Sequence, residues 1–432
     1  MGGLAAKAIA KVQRYRQQAT ALLLYQSVLT TPLSQSLLNL LDALCAEDST
    51  RCLTAYGDWF HVQAAHQQTW QDHLIQQILR SDNPFTREAQ RQNLADLPES
   101  LIRAANHDLR RLQILYTCDG ENLSRWVQTV CQIADTPVVW TLPPQPQPVT
   151  LPDLADWQTG LPELAAYYRQ QGVGQFGEFR AFHWHQGHLQ GIAHPDPIRL
   201  HQLAAYGHPR QQLLQNTEFL LAGQAALHVL LYGSRGSGKS SLVKALVNEY
   251  GDRGLRLIQV DKADLIHLPT IVDQVRDRPQ KFIIFVDDLS FEEDDDAFKA
   301  LKVVLEGGVT ARPQNLVVYA TSNRRHLVRE YFAERPRPRD QDEIQAWDTL
   351  QEKLSFSDRF GLTLTFEAAD QPTYLAIVKH LAGLAEIPLA VTDLEQRALQ
   401  WATRHNGRSG RSARQFVDFL AAELTLKSPK VP

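Results

Sequence analysis

The octapeptide GSRGSGKS, residues 233–240, places three glycines, a lysine and a serine at the spacing G-x-x-x-x-G-K-[ST]. The apolar stretch LHVLLY precedes it and the amphipathic stretch SSLVKALVNEY follows. Glycines let backbone N–H groups wrap phosphate oxygens, and the helix N-terminus that follows adds a favourable potential. The pattern predicts a nucleotide-phosphate loop in which Lys239 reaches the β- and γ-phosphates and Ser240 binds Mg²⁺. The residues predicted to bind the nucleotide here are Gly233, Ser234, Arg235, Gly236, Ser237, Gly238, Lys239, Ser240 and Ser241.

A second candidate lies where the apolar stretch KFIIFV runs into a series of carboxylates. A carboxylate at the end of such a strand holds Mg²⁺ through water in phosphate-loop proteins, and Asp287 is predicted to do so. Asp288 then stands at the position of a water-activating residue. The acids from Glu292 to Asp296 are interpreted as a solvated helix start, because a first helical turn favours acids. Glu292 and Glu293 stay as alternatives to Asp288.

Two polar residues accompany later strands. Asn323 ends the stretch NLVVYATSN, where its amide is expected to orient water or sense the γ-phosphate. Arg359 stands just ahead of the stretch LTLTF and is expected to be exposed at a subunit boundary. The guanine signature N-K-x-D does not occur in the sequence, which disfavours a GTPase.

The composition of the chain restricts the function classes. Its 432 residues are 44% hydrophobic and 21% charged, with a formal net charge of −4. That charge argues against a protein that coats nucleic acid, which needs a basic surface. No stretch of 18 apolar residues occurs, so no membrane partner is expected, and a cytoplasmic protein is predicted. The cysteines form no CxxC pair and are interpreted as buried thiols in a reducing compartment: Cys45, Cys52, Cys118 and Cys131.

From about residue 225, short β-rich stretches alternate with helix-length segments. LHVLLYG, LRLIQVD, KFIIFVDD, NLVVYATSN and LTLTFEA are nearly continuous in apolar residues, which indicates strands buried on both faces. They predict an α/β fold with a parallel sheet between helices. Residues 1–140 have apolar residues at three- and four-residue spacing, and they predict a helical N-terminal domain of unknown role.

The remaining domain boundaries follow from composition. Residues 141–155 are rich in proline and predict a linker. Residues 156–194 predict a helix and a β-hairpin extension that turns at 186–187. An αβα core is predicted over 195–368 and a helical lid over 369–432.

Histidines around the hairpin raise the question of a metal site. His183 and His185 would share one strand face, but neither His188 nor His194 supplies a third ligand at a known spacing. The four are interpreted as polar residues on an exposed ribbon.

Taken together, the stretch from about residue 195 to 425 resembles the AAA+ ATPases. GSRGSGKS is similar to Walker A and FIIFVDD to Walker B. The resemblance implies that Asn323 is sensor 1, that Arg359 is the arginine finger, and that Arg411 in HNGRSGRSARQF is the sensor 2 arginine. Arg408 and Arg414 compete for that last role. The segment DPIRLHQLAAYGHPRQQLLQNTEFLLAG is similar to the one that supplies the adenine pocket, with Leu203 and Tyr206 as candidate liners.

More narrowly, KFIIFVDDLSFEEDD, NLVVYATSNRRHL and EKLSFSDRFGL resemble the domain-of-unknown-function 815 family of bacterial AAA+ proteins. The resemblance implies a P-loop NTPase with a RecA-like αβα parallel sheet and a C-terminal helical lid. It also implies ATP and Mg²⁺ as cofactors, and ATP and ADP bound at the interfaces of a homo-oligomeric ring, often a hexamer. Most AAA+ proteins carry Glu after the Mg²⁺ aspartate, whereas this chain carries Asp288, which is one methylene shorter.

Three functions are compatible with these features. The first is an ATP-hydrolysing machine that remodels or loads a protein partner. The second is a nucleotide-dependent switch with negligible turnover, which the unusual Asp288 suggests. The third is a DNA-acting loader or helicase-like ATPase, suggested by the basic stretch RHNGRSGRSAR and disfavoured by the acidic net charge.

Overall fold

The computed structural model describes residues 2–143, 146–290, 296–306, 313–323, 359–405 and 407–427. The chain divides into two compact units, Met1–Glu178 and Phe179–Pro432. None of the described helices is both long and apolar enough to cross a membrane.

The first unit is helical, as its apolar spacing predicts. Its helices begin at side chains that accept a backbone N–H of the first turn, among them Thr31, Asp48, Thr69, Asn83 and Asp119. The helices are α1 (Gly2–Thr20), α2 (Pro32–Ala46), α3 (Ser49–His66), α4 (Trp70–Arg80), α5 (Pro84–Arg91), α6 (Glu99–Tyr116), α7 (Gly120–Cys131), α8 (Leu161–Gln171) and α9 (Gln175–Glu178).

A buried carboxylate fixes the connection from α1 to α2. Asp108 on α6 is fully buried, and its oxygens accept hydrogen bonds from the backbone N–H groups of Leu23, Leu24 and Tyr25 at 2.7–3.0 Å. The His107 ring nitrogen Nδ1 lies 2.9 Å from the same carboxylate. A buried carboxylate is stable only when such donors surround it.

The proline-rich stretch 141–155 was predicted to be a linker, but described residues of it pack in the core of the first unit. Val149 and Leu151 are buried in that unit's core, and Thr150 donates to the Glu163 carboxylate on α8. Helix α8 lies in the same core, so the boundary between the units falls after Glu178. The physical reason is that the apolar residues between the prolines bury their side chains against the helices of the first unit, which stabilises the folded chain.

The second unit is built on a seven-stranded sheet. Its strands are β1 (Ala181–His185), β2 (His188–Gly191), β3 (Val229–Gly233), β4 (Leu255–Gln259), β5 (Lys281–Val286), β6 (Leu316–Ser322) and β7 (Leu362–Phe366). They are ordered β2-β1-β4-β5-β6-β3-β7, and every neighbouring pair except β1 with β2 is parallel. The five stretches predicted as strands correspond to β3–β7.

The predicted hairpin is present and joins this sheet. Gln186 and Gly187 connect β1 to β2 with φ of 50° and 86°, as a type I′ turn requires. Strand β1 then pairs with β4, so the hairpin extends the sheet by two strands instead of standing apart from it.

Helices flank the sheet and form a C-terminal lid. Those between the strands are α10 (Gly207–Leu221), α11 (Lys239–Tyr250), α12 (Leu268–Val275) and α13 (Asp296–Glu306). The lid consists of α14 (Gln371–Leu384), α15 (Val391–Arg404) and α16 (Gly410–Lys427), which share a core that includes Tyr374, Leu394 and Phe416. The predicted fold class, a P-loop NTPase sheet with a helical lid and a helical N-terminal domain, is confirmed.

The register of three strands brings the predicted site residues together. Val286 on β5 pairs with Ala320 on β6, and Ser322 on β6 pairs with Tyr232 on β3. The carboxyl ends of β5, β6 and β3 therefore lie side by side. Ligands of open α/β sheets bind outside these ends, where the strand order reverses.

Replacing Asp108 by asparagine tests the buried carboxylate. An amide offers one acceptor oxygen in place of two, and its N–H groups would face the backbone N–H donors of 23–25. We therefore expect the free energy of unfolding to fall by about 2–4 kcal/mol. Urea unfolding measures the loss, and hydrogen exchange should locate it at the amides of 23–25. Asp58→Asn, on an exposed position of α3, is the control. Equal unfolding curves for the two variants would contradict the assigned role.

Candidate nucleotide-binding site

The phosphate loop, residues 233–240, starts against the end of β7. The backbone N–H of Ser234 donates to the Phe366 carbonyl oxygen at 3.0 Å. Gly233 has φ of 139°, and a Cβ there would lie 1.9 Å from that same oxygen. Only glycine allows such an approach. The loop ends at Gly238, whose φ of 92° leads into Lys239 at the start of α11.

Lys239 is a buried cation at the centre of the loop. Its Nζ donates to the carbonyl oxygens of Gly233 at 2.9 Å and Ser234 at 2.8 Å, and its side chain is 7% exposed. Burial lowers the pKa of Lys239, while the charges of Asp287 and Asp288 act in the opposite direction. The carboxylates therefore favour the charged form that a phosphate ligand needs.

Asp287 connects the phosphate loop to strand β6. Its Oδ1 accepts hydrogen bonds from Ser240 Oγ at 2.6 Å and Thr321 Oγ1 at 2.5 Å. The backbone N–H of Asp288 lies 3.1 Å from the same oxygen. These contacts place two hydroxyls and a carboxylate, all hard oxygen donors, at one point.

Asp288 and Asn323 form the neighbouring pair. Asn323 Nδ2 donates to Asp288 Oδ1 at 2.6 Å, and the Asn323 oxygen Oδ1 lies 3.4 Å from Lys239 Nζ. Asp288 has φ of 51°, a left-handed conformation that costs a non-glycine residue about 1–2 kcal/mol. Its N–H donates to Thr321 Oγ1 at 2.9 Å, which helps to hold this conformation.

The lid touches the phosphate loop directly. The backbone N–H of Arg411, in the first turn of α16, donates to the Gly236 carbonyl oxygen at 3.1 Å. Gly236 has φ of 73°, and a Cβ there would lie 3.0 Å from Ser409 Oγ and 3.3 Å from the Arg411 Cβ. The loop thus meets a second helix N-terminus, which favours an anion at the same place.

Loop, strand ends and lid enclose a cleft of about 600 Å³. It brings together most of the predicted site residues: Leu203, Arg235, Gly236, Ser237, Gly238, Lys239, Ser240, Ser241, Asp287, Asp288, Asn323 and Arg411. The volume matches the range of small-molecule and cofactor sites.

Comparison with known proteins agrees with this description. A family model described as "Protein of unknown function (DUF815)" matches residues 177–424, more than half of the chain. The chain belongs to the DUF815 family. The narrower resemblance predicted from the sequence is thereby confirmed. No curated protein matches the sequence significantly.

Solved structures similar to the DUF815 chain include three of Thermotoga maritima RuvB. A lysine-to-arginine variant has a TM-score of 0.37 at 15% identity, over 53% of this chain and 66% of that one. An arginine-to-alanine variant has a TM-score of 0.36 at 15% identity, over 53% and 66%. The RuvB Holliday junction branch migration motor has a TM-score of 0.31 at 14% identity, over 53% and 72%.

Two residues predicted for the site, Tyr206 and Arg408, do not line the cleft. Tyr206 lies behind the cleft wall, where its hydroxyl donates to the Glu367 carbonyl oxygen at 2.8 Å and burial raises its pKa. Arg408 does not line the cleft. The pKa of Asp370 is lowered mainly by hydrogen bonds from Thr373 and, to a smaller extent, by the charge of Arg408. Arg411 and Arg414 both line the cleft, so the predicted sensor 2 role stays open between these two.

Arg359 is less exposed than expected. Its side chain is 18% exposed and lies against the carboxylate of Glu306 at the end of α13. The Arg359 side chain is therefore mostly buried within its own chain. The alternative residues Glu292 and Glu293 lie outside the described part of the chain.

The histidines of the hairpin lie away from the cleft. His183 Nε2 is 3.2 Å from Asp261 Oδ2, and the rings of His183 and His185 stack with centroids 6.1 Å apart. Among the described residues no group of three or more His, Cys, Asp or Glu could hold a metal ion.

The oxygen cluster of Ser240, Asp287 and Thr321 fits Mg²⁺ in the manner expected for a nucleotide site. Mg²⁺ prefers oxygen ligands, keeps several waters and binds through one or two carboxylates together with substrate phosphates. Among the described residues, no cluster of three or more carboxylates, histidines or cysteines accompanies Asp287. One carboxylate with two hydroxyls therefore suits an ion that binds together with the nucleotide.

Sequence reasoning missed part of the cleft. Thr321 gave a usable signal, because it lies near the end of β6, two residues before Asn323. In the structure its hydroxyl donates to Asp287, just after β5. The lid residues gave no signal, because helix periodicity does not reveal which part of a helix meets a distant loop. The unpredicted lining residues are Ile198, Gln202, Ala204, Thr321, Ile377, Leu381, Gly410 and Gln415.

Gly233→Ala tests the start of the phosphate loop. The added Cβ would collide with the Phe366 carbonyl. We therefore expect the free energy of unfolding to fall by about 3 kcal/mol or more, and nucleotide binding to be lost. Gly383→Ala is the matched control, since a Cβ on that exposed helical glycine meets nothing within 4 Å. It should leave binding intact and stabilise α14 by about 0.5–1 kcal/mol. Thermal unfolding and nucleotide titration measure both, and normal binding by Gly233→Ala would refute the assigned contact.

Proposed function

We propose that the chain is an AAA+ ATPase that binds and hydrolyses Mg-ATP at subunit interfaces to remodel or load a protein partner. The observation that carries this proposal is the convergence of Lys239, Ser240, Asp287, Asp288 and Asn323 at the carboxyl ends of β3, β5 and β6. A cation, a set of oxygen ligands and a carboxylate–amide pair are the parts that phosphoryl transfer to water requires.

Each residue has a distinct part in the proposed reaction. Bound Mg²⁺ neutralises charge on the phosphate oxygens. Ser240 and Asp287 hold that ion, and Lys239 exchanges its loop carbonyls for the β- and γ-phosphates. Asp288 accepts the proton of the attacking water while the Asn323 amide orients that water.

Assembly and partners extend the proposal. A homo-oligomeric ring, often a hexamer in AAA+ ATPases, would place Arg359 beside the nucleotide of the neighbouring subunit. To reach it, Arg359 has to leave Glu306. An arginine supplied in this way contributes about 10³-fold or more to turnover where it has been measured. The helical first unit, which lies almost wholly outside the family match, is the proposed site for the protein partner, in the cytoplasm.

A nucleotide switch with negligible turnover is the second candidate. The observation that favours it is the state of Asp288, a short carboxylate held in a left-handed backbone conformation and bonded to Asn323 at 2.6 Å. A base held in this way has to release Asn323 before it reaches water.

A DNA-acting loader or helicase-like ATPase is the third hypothesis. Absence of DNA binding at low salt with nucleotide present would exclude it.

Replacing Lys239 by alanine tests the ATPase proposal. Because the ammonium is the buried positive charge of the loop, we expect Mg²⁺-dependent ATP turnover to fall by about 10²-fold or more. Lys244→Ala is the matched control, on the same helix and paired with Asp196 at 3.7 Å. Turnover in the assembled wild-type protein no higher than in Lys239→Ala would defeat the ATPase proposal.

Asp288→Asn decides between machine and switch. Removing a general base costs about 10²–10⁴-fold in rate, so single-turnover hydrolysis of labelled ATP should slow by that factor with nucleotide affinity retained. The trapped ATP state also suits a pull-down of the partner. If the wild-type protein loses γ-phosphate no faster than the variant, the switch is favoured.

A further inference from the structure

The segment that leads into α10 carries unusual backbone. Ala205 and Tyr206 are consecutive non-glycine residues with φ of 69° and 53°. Such conformations persist where the surrounding structure enforces them, and they concentrate at ligand clamps and switch regions. Just before them, Gln202, Leu203 and Ala204 line the cleft. We call residues 202–204 the base wall.

Side chains from three elements hold the backbone around the base wall. Tyr206 Oη donates to the Glu367 carbonyl oxygen at 2.8 Å, just after β7. Arg210 Nη1, on α10, donates to the Leu203 carbonyl oxygen at 2.8 Å. His380 Nε2, on lid helix α14, lies 2.6 Å from the His201 carbonyl oxygen.

The Tyr206 contact reaches the phosphate loop. The Glu367 carbonyl that accepts from Tyr206 also accepts from Ser234 Oγ at 3.3 Å. The Tyr206 ring lies 5.2 Å from the Phe366 ring, and the Phe366 carbonyl accepts the Ser234 N–H. The base wall and the first residue after Gly233 are thus attached to the same two residues at the end of β7.

We propose that Tyr206 is a positioning residue that sets the distance between the base wall and the phosphate loop, so that base and phosphates of a nucleoside di- or triphosphate are recognised together. This inference rests on the proposed ATP-binding function. Tyr206 contributes no surface to the cleft, so it acts through Leu203 and Ala204. Gln202 lines the cleft, and its side-chain oxygen accepts the Arg199 N–H at 2.9 Å.

Tyr206→Phe tests the proposal because it removes one hydroxyl and keeps the ring. We expect the Kd values for Mg-ATP and Mg-ADP to rise by the same factor, about fivefold, which corresponds to one hydrogen bond of about 1 kcal/mol. Under saturating Mg-ATP, hydrogen exchange should stay slow in the phosphate loop and become faster than wild type at residues 200–206. Tyr56→Phe is the matched control, since Tyr56 Oη donates to the Val138 carbonyl oxygen at the same 2.8 Å in the first unit.

Three results would overturn the inference. One is unchanged affinity and unchanged exchange at 200–206. Another is a loss confined to ATP, which would place the effect at the γ-phosphate. A third is equal loss of protection in the base wall and the phosphate loop, which would mean a general structural role. Failure of the proposed function looks different, because the wild-type protein would then either bind neither Mg-ATP nor Mg-ADP or bind them without turnover above that of Lys239→Ala.

Discussion

The Asp287 carboxylate is the contact on which the site depends. It stands at the end of β5, and its Oδ1 accepts from Ser240 at the start of α11 and from Thr321 on β6. Three elements distant in sequence therefore meet at one oxygen atom. The parallel register of β5, β6 and β3 makes this meeting unavoidable, because it sets their carboxyl ends side by side. Hydrophobic burial of the strands supplies the free energy that holds a charged group there.

A second constraint is the close packing of glycine backbone around the phosphate loop. Gly233 leaves no room for a Cβ beside the end of β7, and Gly236 leaves little beside Ser409 of the lid. The loop is therefore shaped from outside by strand and lid as well as by its own sequence. Any movement of the lid must change the Arg411–Gly236 hydrogen bond, and this links lid position to the phosphate site.

The sequence alone predicted the parts of this protein that depend on local pattern. The loop glycines, the apolar strands and Asp287 are each recognisable within about ten residues, and the fold class follows from them. Long-range contacts gave no such signal. Arg359 was expected to be exposed, but its side chain is 18% exposed and lies against Glu306, which is distant in sequence. Tyr206 has the aromatic ring typical of a base-binding residue, yet its hydroxyl donates to the Glu367 carbonyl oxygen. The boundary between the units after Glu178 depends on which apolar residues pack together, and the sequence pattern does not show this.

We propose that Asp287 and Ser240 form a cation site that becomes complete only when a nucleotide binds. Mn²⁺ in place of Mg²⁺ makes this directly measurable by electron paramagnetic resonance. We expect tight Mn²⁺ binding in the presence of ATP, weak binding without it, and loss of the ATP-dependent signal in Asp287→Ala. Equal Mn²⁺ binding with and without ATP, or an unchanged signal in Asp287→Ala, would contradict it.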